Sequence, residues 1–533
     1  MAKVTFPLEL LALARFFYEA GTVLYAVGGQ VRNQLLGYPV RDRDICSAMT
    51  PDKVMEMCEK RSLRYVPQGV EFGTVLLCPG NEAYEHTTFR RDVYEIGGAH
   101  KPKSVAFGES LSQDAFRRDF TVNALYAHIR TGEVLDPTRR GLDDLSHGVI
   151  CATTPDPEEI MRDDALRVLR MVRFACELGF SVEGKTFEAA KKYAKGLKDI
   201  SAERIRDELS KILLSDIRYG ANGDIGTAPG EDSPVYKGLV MLDKLGALDV
   251  ILPALTAGRY QVQRLTYHAY TVLYHNLHTA ACLDVAGYDE QTALACRLAA
   301  LLHDVGKPEA KRRNDTAETE TPAYAAPYTP TEQAARAAQD AKAENSAKKD
   351  EKSDEQTQQA DRKPANAGHM YGHDAISAQM AREILTQLRY PAAIVDEACA
   401  LIAHHMYDLT GYAKESTLRE RFAQWGYEHS LRVARLREAD VYGSGRTKKG
   451  TPVETAMRFQ RVLMEMRQQH APFGENELDC TGEDIMAWLS LKPSKRVGEL
   501  KRALLLHCAK KPADNKKEKL QRLCQDMKKT PQP

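Results

Sequence analysis

Two aspartates, Asp42 and Asp44, stand two residues apart in a short segment of strand-like sequence. On an extended strand, residues i and i+2 lie on the same face, so the two carboxylates would repel each other unless a divalent cation lay between them. Mg²⁺ bound by one or two carboxylates plus substrate phosphates is the usual arrangement. A third carboxylate would complete a two-metal site, and Glu85, in another strand-like run, is our candidate. Taken alone, the D-x-D spacing also fits a strand edge with solvated aspartates.

A glycine pair upstream of the aspartates suggests a phosphate site. Gly28 and Gly29 follow a strand-like run at residues 22–27 and precede a helical pattern at 31–36. Glycines let the backbone approach a phosphate closely, and a helix N-terminus directs free N–H groups at the anion. Arg32 would add a charge-assisted contact. Glycine pairs after strands are common, but the nearby aspartates strengthen the prediction of a nucleotide site.

A second set of candidate metal ligands lies further along the chain. His303 and Asp304 end a helical run, and further histidines and an aspartate flank them in sequence. Imidazole nitrogens combined with carboxylate oxygens suit a transition metal such as Mn²⁺, Ni²⁺, Fe²⁺ or Zn²⁺. The order matches that of the HD phosphohydrolase superfamily, although a capped helix end with a surface histidine would explain His303-Asp304 alone. The sequence does not distinguish His404 from His405, and the predicted ligand set is His275, His303, Asp304, His373, His404 and Asp440.

The elements that must position these residues follow from length and pattern. A chain of 533 residues corresponds to about three to five domains. We predict a mixed α/β head at 1–150, a helical neck for base selection and RNA binding at 151–262, an HD-type helical domain at 263–450 and a helical tail at 451–533. Between Lys311 and His369 there is no Leu, Ile, Val, Phe, Trp or Cys, so we predict a disordered insertion at 311–368.

Charge and cysteine content restrict the classes of function. Lys plus Arg and Asp plus Glu each number 74, so the net charge is zero and a uniformly basic nucleic-acid coat is excluded. RNA would have to bind through local patches, for which Arg204, Arg206 and Lys211 are candidates. The eleven cysteines form no CxxC pair, and no apolar run approaches the roughly 20 residues of a membrane span. We therefore expect a cytoplasmic protein with no membrane contact and no obligate protein partner.

Four motifs in order carry a family resemblance. They are Gly28-Gly29-x-Val31-Arg32, Arg41-Asp42-Arg43-Asp44-Ile45, the segment Arg117–Ala124 and the segment Arg162–Arg167. Together they resemble the motif series of the class II tRNA nucleotidyltransferase and bacterial poly(A) polymerase superfamily. The resemblance covers most of the chain except the insertion. Two positions depart from the family pattern: Asn33 replaces the usual Asp, and Asp163 replaces the usual Glu.

The resemblance implies roles for further residues. Asp164 and Arg167 are three apart, so we expect them on one helix face, where a surface ion pair is the alternative to reading the incoming base. Cytosine and adenine present an amino donor beside a ring-nitrogen acceptor, which a carboxylate and a guanidinium would match. Guanine and uracil present the reverse order and would leave buried groups unpaired. The implied nucleotide-binding residues are Gly28, Gly29, Arg32, Arg118, Asp119, Asn123, Asp164, Arg167, Arg170 and Arg173.

The implied activity is addition of the 3′-terminal CCA to tRNA from CTP and ATP by two-metal catalysis with Mg²⁺, without a nucleic-acid template. Residues 90–102 resemble the flexible loop of complete CCA-adding and A-adding enzymes, which favours the full CCA product. A poly(A) or A-adding polymerase is the first alternative. A metal-dependent HD phosphohydrolase acting on RNA ends or nucleotides is the second, and its site could instead be structural.

Overall fold

The computed structural model describes residues 3–40, 43–93, 104–108, 110–218, 231–263, 268–315, 372–408, 411–445 and 452–529. Asp42, most of the predicted flexible loop and the predicted insertion beyond Asp315 lie outside the described residues. The chain divides into two compact units, Met1–Thr256 with Gln387–Tyr390 and Ala257–Thr386 with Pro391–Pro533. The division into four domains stays a prediction.

The first unit begins with an α/β head. Its strands are β1 (Tyr25–Val27), β2 (Asp44–Ser47), β3 (Arg64–Pro67), β4 (Thr74–Cys78), β5 (Tyr84–Thr88), β6 (Arg90–Val93), β7 (Ser104–Phe107), β8 (Tyr126–His128) and β9 (Val134–Leu135). Its helices are α1 (Leu8–Glu19), α2 (Gly29–Leu36), α3 (Pro51–Lys60), α4 (Leu111–Phe116) and α5 (Gly141–His147). The predicted helix after the glycine pair and the predicted strands at residues 22–27, at Asp44 and at Glu85 are confirmed.

One seven-stranded sheet, in the order β3-β4-β5-β2-β1-β8-β9, forms the centre of this head. The strands β2 and β5 are parallel neighbours, whereas the other pairs in the sheet are antiparallel. In β5, buried Tyr84, His86 and Thr88 alternate with Glu85, which is exposed. The two-residue alternation of a strand thus sends the aromatic and neutral side chains into the core and the carboxylate outward.

The rest of the first unit is mainly helical. It contains α6 (Pro157–Asp163), α7 (Leu166–Leu178), α8 (Gly184–Tyr193), α9 (Ala202–Leu213), α10 (Ser215–Arg218), α11 (Pro234–Lys244), α12 (Ala247–Ile251) and α13 (Pro253–Thr256). A short parallel pair, β10 (Val149–Ile150) with β11 (Ser181–Val182), accompanies these helices. The helix α7 is buried along nearly its whole length, which makes it a fixed support for the residues it carries.

All regular elements that the structure describes in the second unit are helical. They are α14 (Val272–Cys282), α15 (Glu290–Leu302), α16 (Lys307–Asp315), α17 (His373–Gln387), α18 (Ala392–His404), α19 (Glu415–Trp425), α20 (Tyr427–Gly443), α21 (Pro452–Gln468), α22 (Gly482–Leu489), α23 (Lys495–Lys510) and α24 (Lys517–Lys529). A core that includes Phe422, Phe459 and Leu504 joins its C-terminal helices. The predicted α/β head with a mainly helical body is confirmed.

The described helices do not include one that combines the length and apolar character of a membrane span. All eleven cysteines are described; ten are buried and none is in a disulfide. Burial raises the pKa of the Cys151 and Cys176 thiols to about 12, so these two thiols are unreactive core groups near neutral pH.

Candidate active site and candidate metal centre

Two of the three predicted catalytic carboxylates lie on adjacent strands. Asp44 is the first residue of β2, and the parallel register aligns it directly with Glu85 of β5. Aligned residues of neighbouring parallel strands point to the same face of the sheet. The side chain of Asp44 is half-buried and that of Glu85 is exposed, so both carboxylates reach the surface on one face. Their role as metal ligands stays a prediction, as does that of Asp42, which lies outside the described residues.

The turn between β1 and α2 brings Gly28 close to this carboxylate. Gly28 has φ 68° and ψ −129°, a backbone conformation that residues other than glycine rarely adopt. A methyl group in place of its hydrogen would lie 3.7 Å from Nη1 of Arg118 and 4.0 Å from Oδ2 of Asp44. A glycine, a guanidinium and a carboxylate therefore surround one small space at the N-terminus of α2. Asn123 O lies 3.5 Å from the same position and the Gly28 N–H already donates to Leu125 O, so the donor that this space offers a phosphate group is the Arg118 guanidinium.

Arg118 is held in place by a carboxylate that the sequence reasoning missed. Its Nε and Nη2 donate to Oδ2 of Asp114 at 3.3 and 3.2 Å, and its Nε also donates to the Tyr126 hydroxyl at 3.0 Å. Asp114 is fully buried, and burial alone would raise its pKa, but Arg118 and Arg117 outweigh it and hold the pKa below its ordinary value. The sequence signal that could have identified Asp114 is the pair of arginines that follow it at i+3 and i+4.

A buried network connects the glycine turn to α7. The Arg32 guanidinium, 1% exposed, donates to Oδ1 of Asn123 at 2.5 Å and to Oδ1 of Asn33 at 2.9 Å. Asn123 in turn donates to Oδ1 of Asp119 at 3.1 Å, and Oδ2 of Asp119 accepts from Nε of Arg170 at 2.7 Å. Arg32 thus stabilises the glycine turn from within the core. A direct contact between Arg32 and phosphate stays a prediction.

Asp119 is the anionic centre of this network. Burial raises its pKa, but Arg170 and the hydrogen bond from Asn123 outweigh that effect and bring the pKa to about 2. Asp119 is therefore ionised at neutral pH and fixes Arg170, whose side chain remains 33% exposed. Arg173, one turn further along α7, is only 6% exposed and bonds Glu208 at 2.6 Å and Glu177 at 3.4 Å. Of these two arginines, Arg170 is the one with surface available to a ligand.

The predicted base-reading pair has an unexpected geometry. The chain leaves the helical conformation at Asp164, between α6 and α7, with φ −148° and ψ 104°. The expectation that Asp164 and Arg167 share one helix face is therefore wrong, because the helix ends before Asp164. Oδ1 of Asp164, one residue before the N-cap Ala165, accepts from the backbone N–H of Leu166 at 3.0 Å. The guanidinium of Arg167 donates to the carbonyl oxygens of Ile160 and Arg117, at 3.1 and 2.8 Å.

Comparison with known families identifies this part of the molecule. Residues 24–151 match the family model described as the poly A polymerase head domain. This match covers most of the α/β head, which is therefore similar to that family. Residues 179–218 match a second model, the probable RNA and SrmB- binding site of polymerase A. Three of the four sequence motifs lie within residues 24–151, so the resemblance that they indicated is confirmed for the head domain, whereas the segment Arg162–Arg167 lies outside both matches.

Curated relatives and solved structures extend the comparison. CCA-adding enzymes of Ligilactobacillus salivarius and Enterococcus faecalis are 41% identical over 236 residues and 38% identical over 251 residues. These matches cover 44% and 46% of this chain and 55% and 58% of the relatives, so the chain spans about half the length of the curated relatives it matches. The crystal structure of the Bacillus stearothermophilus CCA-adding enzyme in complex with CTP aligns with TM-score 0.60 at 22% identity, covering 98% of this chain and 97% of that one. This similarity shows a shared fold.

The three residues predicted to contact RNA lie on α9, which follows the head in sequence. Each of them has an acidic neighbour. Arg204 donates to Oδ2 of Asp164 at 2.6 Å. Arg206 pairs with Asp207 and donates to the carbonyl oxygen of Arg389 at 2.7 Å. Lys211 lies 3.9 Å from Oε1 of Glu208. RNA binding by these residues stays a prediction, and Arg204 already pairs with Asp164, a predicted nucleotide-binding residue.

The second unit gathers the other predicted metal ligands at one point. Nε2 of His275 lies 3.0 Å from Oδ1 of Asp440 and 3.4 Å from Oδ2 of Asp304. Nε2 of His303 lies 3.3 Å from the same Asp304 oxygen, and Nε2 of His373 lies 3.1 Å from Oδ1 of Asp304. Residues from four separate parts of the sequence thus converge in a largely buried cluster of imidazoles and carboxylates.

One predicted ligand needs correction: His405, rather than His404, faces this cluster. Nε2 of His405 lies 3.7 Å from Oδ1 of Asp304, and the ligand atoms of His303, Asp304 and His405 all lie within 4.8 Å of one another. His404, the last residue of α18, stacks on Trp425 and bonds His429 at 2.9 Å instead. Consecutive helical residues point about 100° apart, so only one of the two can face the cluster.

Ionised carboxylates dominate the electrostatics of this cluster. Burial would lower the pKa of His303, but Asp304 and Asp440 outweigh burial and raise the pKa to about 10, so His303 must lose a proton to bind a metal. Burial would raise the pKa of Asp304, but His303 and Lys307 outweigh it and hold the pKa well below its ordinary value. Burial lowers the pKa of His405, which leaves its imidazole neutral and its lone pair available. A second triad, of His275, His303 and Asp440, also has its ligand atoms within 4.8 Å of one another. The donor set of imidazole nitrogens and carboxylate oxygens therefore fits a transition metal.

Proposed function

We propose that this protein is a tRNA nucleotidyltransferase that adds the 3′-terminal CCA from CTP and ATP without a nucleic-acid template. The observation that carries the proposal is the alignment of Asp44 with Glu85 beside the space at Gly28 and Arg118, within a poly A polymerase head domain. Relatives about 40% identical over just under half of the chain are CCA-adding enzymes. Eleven cysteines without a CxxC pair support a cytoplasmic location.

In this proposal the carboxylates hold the metal and the arginines hold the nucleotide. Asp44, Asp42 and Glu85 supply the hard oxygen ligands that Mg²⁺ prefers. Bound there, a divalent cation would polarise the α-phosphate and lower the pKa of the attacking 3′-hydroxyl. The N-terminus of α2 and the Arg118 guanidinium receive the phosphates, whose charge they offset.

Base choice in this proposal rests on the segment at the start of α7. The Asp164 carboxylate accepts from the amino group of cytosine or adenine, and Arg167 donates to the adjacent ring nitrogen. Arg167 has five N–H donors, of which two are used on backbone carbonyls, so others remain for a base. The carbonyl oxygen of uracil or guanine would face the Asp164 carboxylate, and the ring N–H would face the Arg167 guanidinium. These groups would stay unpaired, which weakens the binding of uracil and guanine in the transition state.

The test is an extension assay on tRNA that ends at the discriminator base, with CTP and ATP supplied together and singly. Addition of C, C and A followed by a stop is expected, and it should be lost on Asp44→Asn. A long A tract would identify a poly(A) polymerase instead. Addition of A only to tRNA ending in CC would identify an A-adding enzyme, and no incorporation by the wild type would refute the proposal.

A second activity is supported by the buried cluster in the second unit. We infer that His275, His303, Asp304, His373, His405 and Asp440 bind a transition metal and hydrolyse phosphoesters, such as 2′,3′-cyclic phosphates on RNA ends. Metal content by mass spectrometry and phosphodiesterase activity with added Mn²⁺ or Ni²⁺ test this. Both should be lost on Asp304→Asn, while C and A addition persists; metal retained by that variant would contradict the inference.

A further inference from the structure

The carboxylate that would read the base is fixed from two sides. Oδ1 of Asp164 accepts from the backbone N–H of Leu166 at 3.0 Å, and Oδ2 accepts from Nη2 of Arg204 at 2.6 Å. The Asp164 side chain is 14% exposed and that of Arg204 is 34% exposed. A short charge-assisted hydrogen bond to a guanidinium fixes the orientation of a carboxylate as well as its distance from the donor. The orientation of the Asp164 carboxylate is therefore defined before any nucleotide binds.

The helix that carries Arg204 also fixes the basic residues of α7. Arg204 lies in the first turn of α9, and Glu208 follows one turn later on the same side of the helix. Glu208 is 4% exposed and accepts from Nε of Arg173 at 2.6 Å, while Nη1 of Arg170 lies 3.8 Å away. One face of α9 therefore contacts the segment 164–173 at both its acidic start and its basic middle.

We propose that Arg204 is a specificity-positioning residue for nucleotide selection, and this rests on the proposed nucleotidyltransferase function. Asp164 lies between two helices in an extended conformation, where its carboxylate would otherwise be free to rotate. With Oδ1 on Leu166 N and Oδ2 on Arg204, the remaining lone pairs point in fixed directions. An amino group of cytosine or adenine then meets a preset acceptor, whereas the carbonyl oxygen of uracil or guanine meets a preset negative charge.

This assignment differs from the role that the sequence suggested for Arg204. A basic residue on a helix in the RNA-binding region is expected to contact phosphate, and such contacts weaken uniformly with salt. A positioning residue instead changes the ratio between nucleotides and leaves RNA affinity unchanged. The two roles therefore give opposite results in two simple measurements.

The experiment compares Arg204→Ala and Arg204→Lys with the full-length wild type. Lys192→Ala is the matched control, because it removes an exposed ion pair to Glu158 on α6 without touching Asp164. For each protein, binding of CTP, UTP, ATP and GTP is titrated in the presence of Mg²⁺, KM and kcat for CTP and UTP are measured on tRNA, and tRNA affinity is measured at two salt concentrations. Thermal unfolding checks that each variant is folded.

For Arg204→Ala we expect the preference for CTP over UTP to fall about tenfold or more, mainly through a higher KM for CTP. Arg204→Lys should recover part of the preference, because it keeps the charge but not the fork geometry. Lys192→Ala should match the wild type. If Arg204→Ala does not fold, the lysine variant carries the comparison.

An unchanged CTP to UTP ratio in Arg204→Ala would overturn the proposal. Weaker tRNA binding with a smaller salt dependence and an unchanged ratio would identify an RNA contact instead. A wild type that incorporates nothing would refute the proposed function alone, since the equilibrium titrations still compare nucleotide preference between wild type and variant. A wild type that binds the four nucleotides equally would refute the positioning role.

Discussion

Gly28→Ala separates the cost of backbone strain from the loss of phosphate access. At φ 68° and ψ −129°, an alanine occupies a region that is essentially restricted to glycine, which costs about 1–3 kcal/mol. The added methyl group meets Asn123 O at 3.5 Å and Arg118 Nη1 at 3.7 Å, which are ordinary van der Waals distances. The free energy of unfolding should therefore fall by the cost of the backbone strain alone. For a unit of this size, that lowers Tm by roughly 2–12 °C.

The expected loss of activity is larger than the loss of stability. The methyl group would fill the space between Arg118 and Asp44 where a phosphate is proposed to approach the backbone. A displacement of about 1 Å of a reacting group lowers the rate about 100-fold, so kcat/KM for CTP should fall at least that far. Calorimetric Tm and steady-state CTP incorporation at a temperature well below Tm measure the two effects separately.

Gly37→Ala is the matched control at the other end of α2. Gly37 has φ 71° and ψ 19°, so alanine there costs about 1–2 kcal/mol of backbone strain. Nothing lies within 4 Å of its added methyl group. The two variants should lose similar stability while only Gly28→Ala loses activity. If Gly28→Ala kept the kcat/KM of Gly37→Ala, the phosphate would not approach the α2 N-terminus and the site would need another location.

Three further outcomes follow from the same geometry. Asp44→Asn should lower CTP incorporation by about 1,000-fold or more without lowering Tm, because its half-buried carboxylate is proposed to hold the catalytic metal. A pKa of about 2 for Asp119, against 3.8 for a free carboxyl, corresponds to about 2 kcal/mol of stability. This contribution is complete above about pH 4 and is lost as pH falls towards 2, so the stability difference between wild type and Asp119→Asn should shrink over that range in acid unfolding. His405→Ala should lose bound transition metal in mass spectrometry while His404→Ala retains it, and the reverse result would restore the ligand set predicted from sequence.

The fold of the head could be predicted because its signals are local. The glycine pair after β1, the strand alternation around Asp44 and Glu85, and the apolar pattern of α1 each lie within a few residues. The predicted strands therefore coincide with the observed ones to within about three residues, as is normal for element ends. The small parallel pair β10–β11 was not predicted, because strands of two residues give no periodic signal.

The residues that position the site could not be predicted in the same way. Glu208 is a buried carboxylate whose partner Arg173 lies on another helix, and an isolated Glu in a helical pattern normally indicates a solvated face. The geometry of Asp164 was mispredicted for a related reason. A local i,i+3 spacing implies one helix face only if the helix continues, and the hydrogen bond from Leu166 N to Asp164 places the helix start after it.

The arginines of α7 show why a motif alone does not define a ligand site. Arg167, Arg170 and Arg173 follow at three-residue steps, and each step turns the side chain by about 60° around the helix. The rotation carries Arg173 into the core, where Glu208 and Glu177 neutralise it, and leaves Arg170 at the surface with Asp119 behind it. The charge of a triphosphate at the proposed site would therefore be offset by Arg118 and Arg170, whereas Arg173 is already paired with Glu208 and Glu177. Substituting Arg173 should consequently lower stability more than it raises the KM for CTP, and substituting Arg170 should do the opposite.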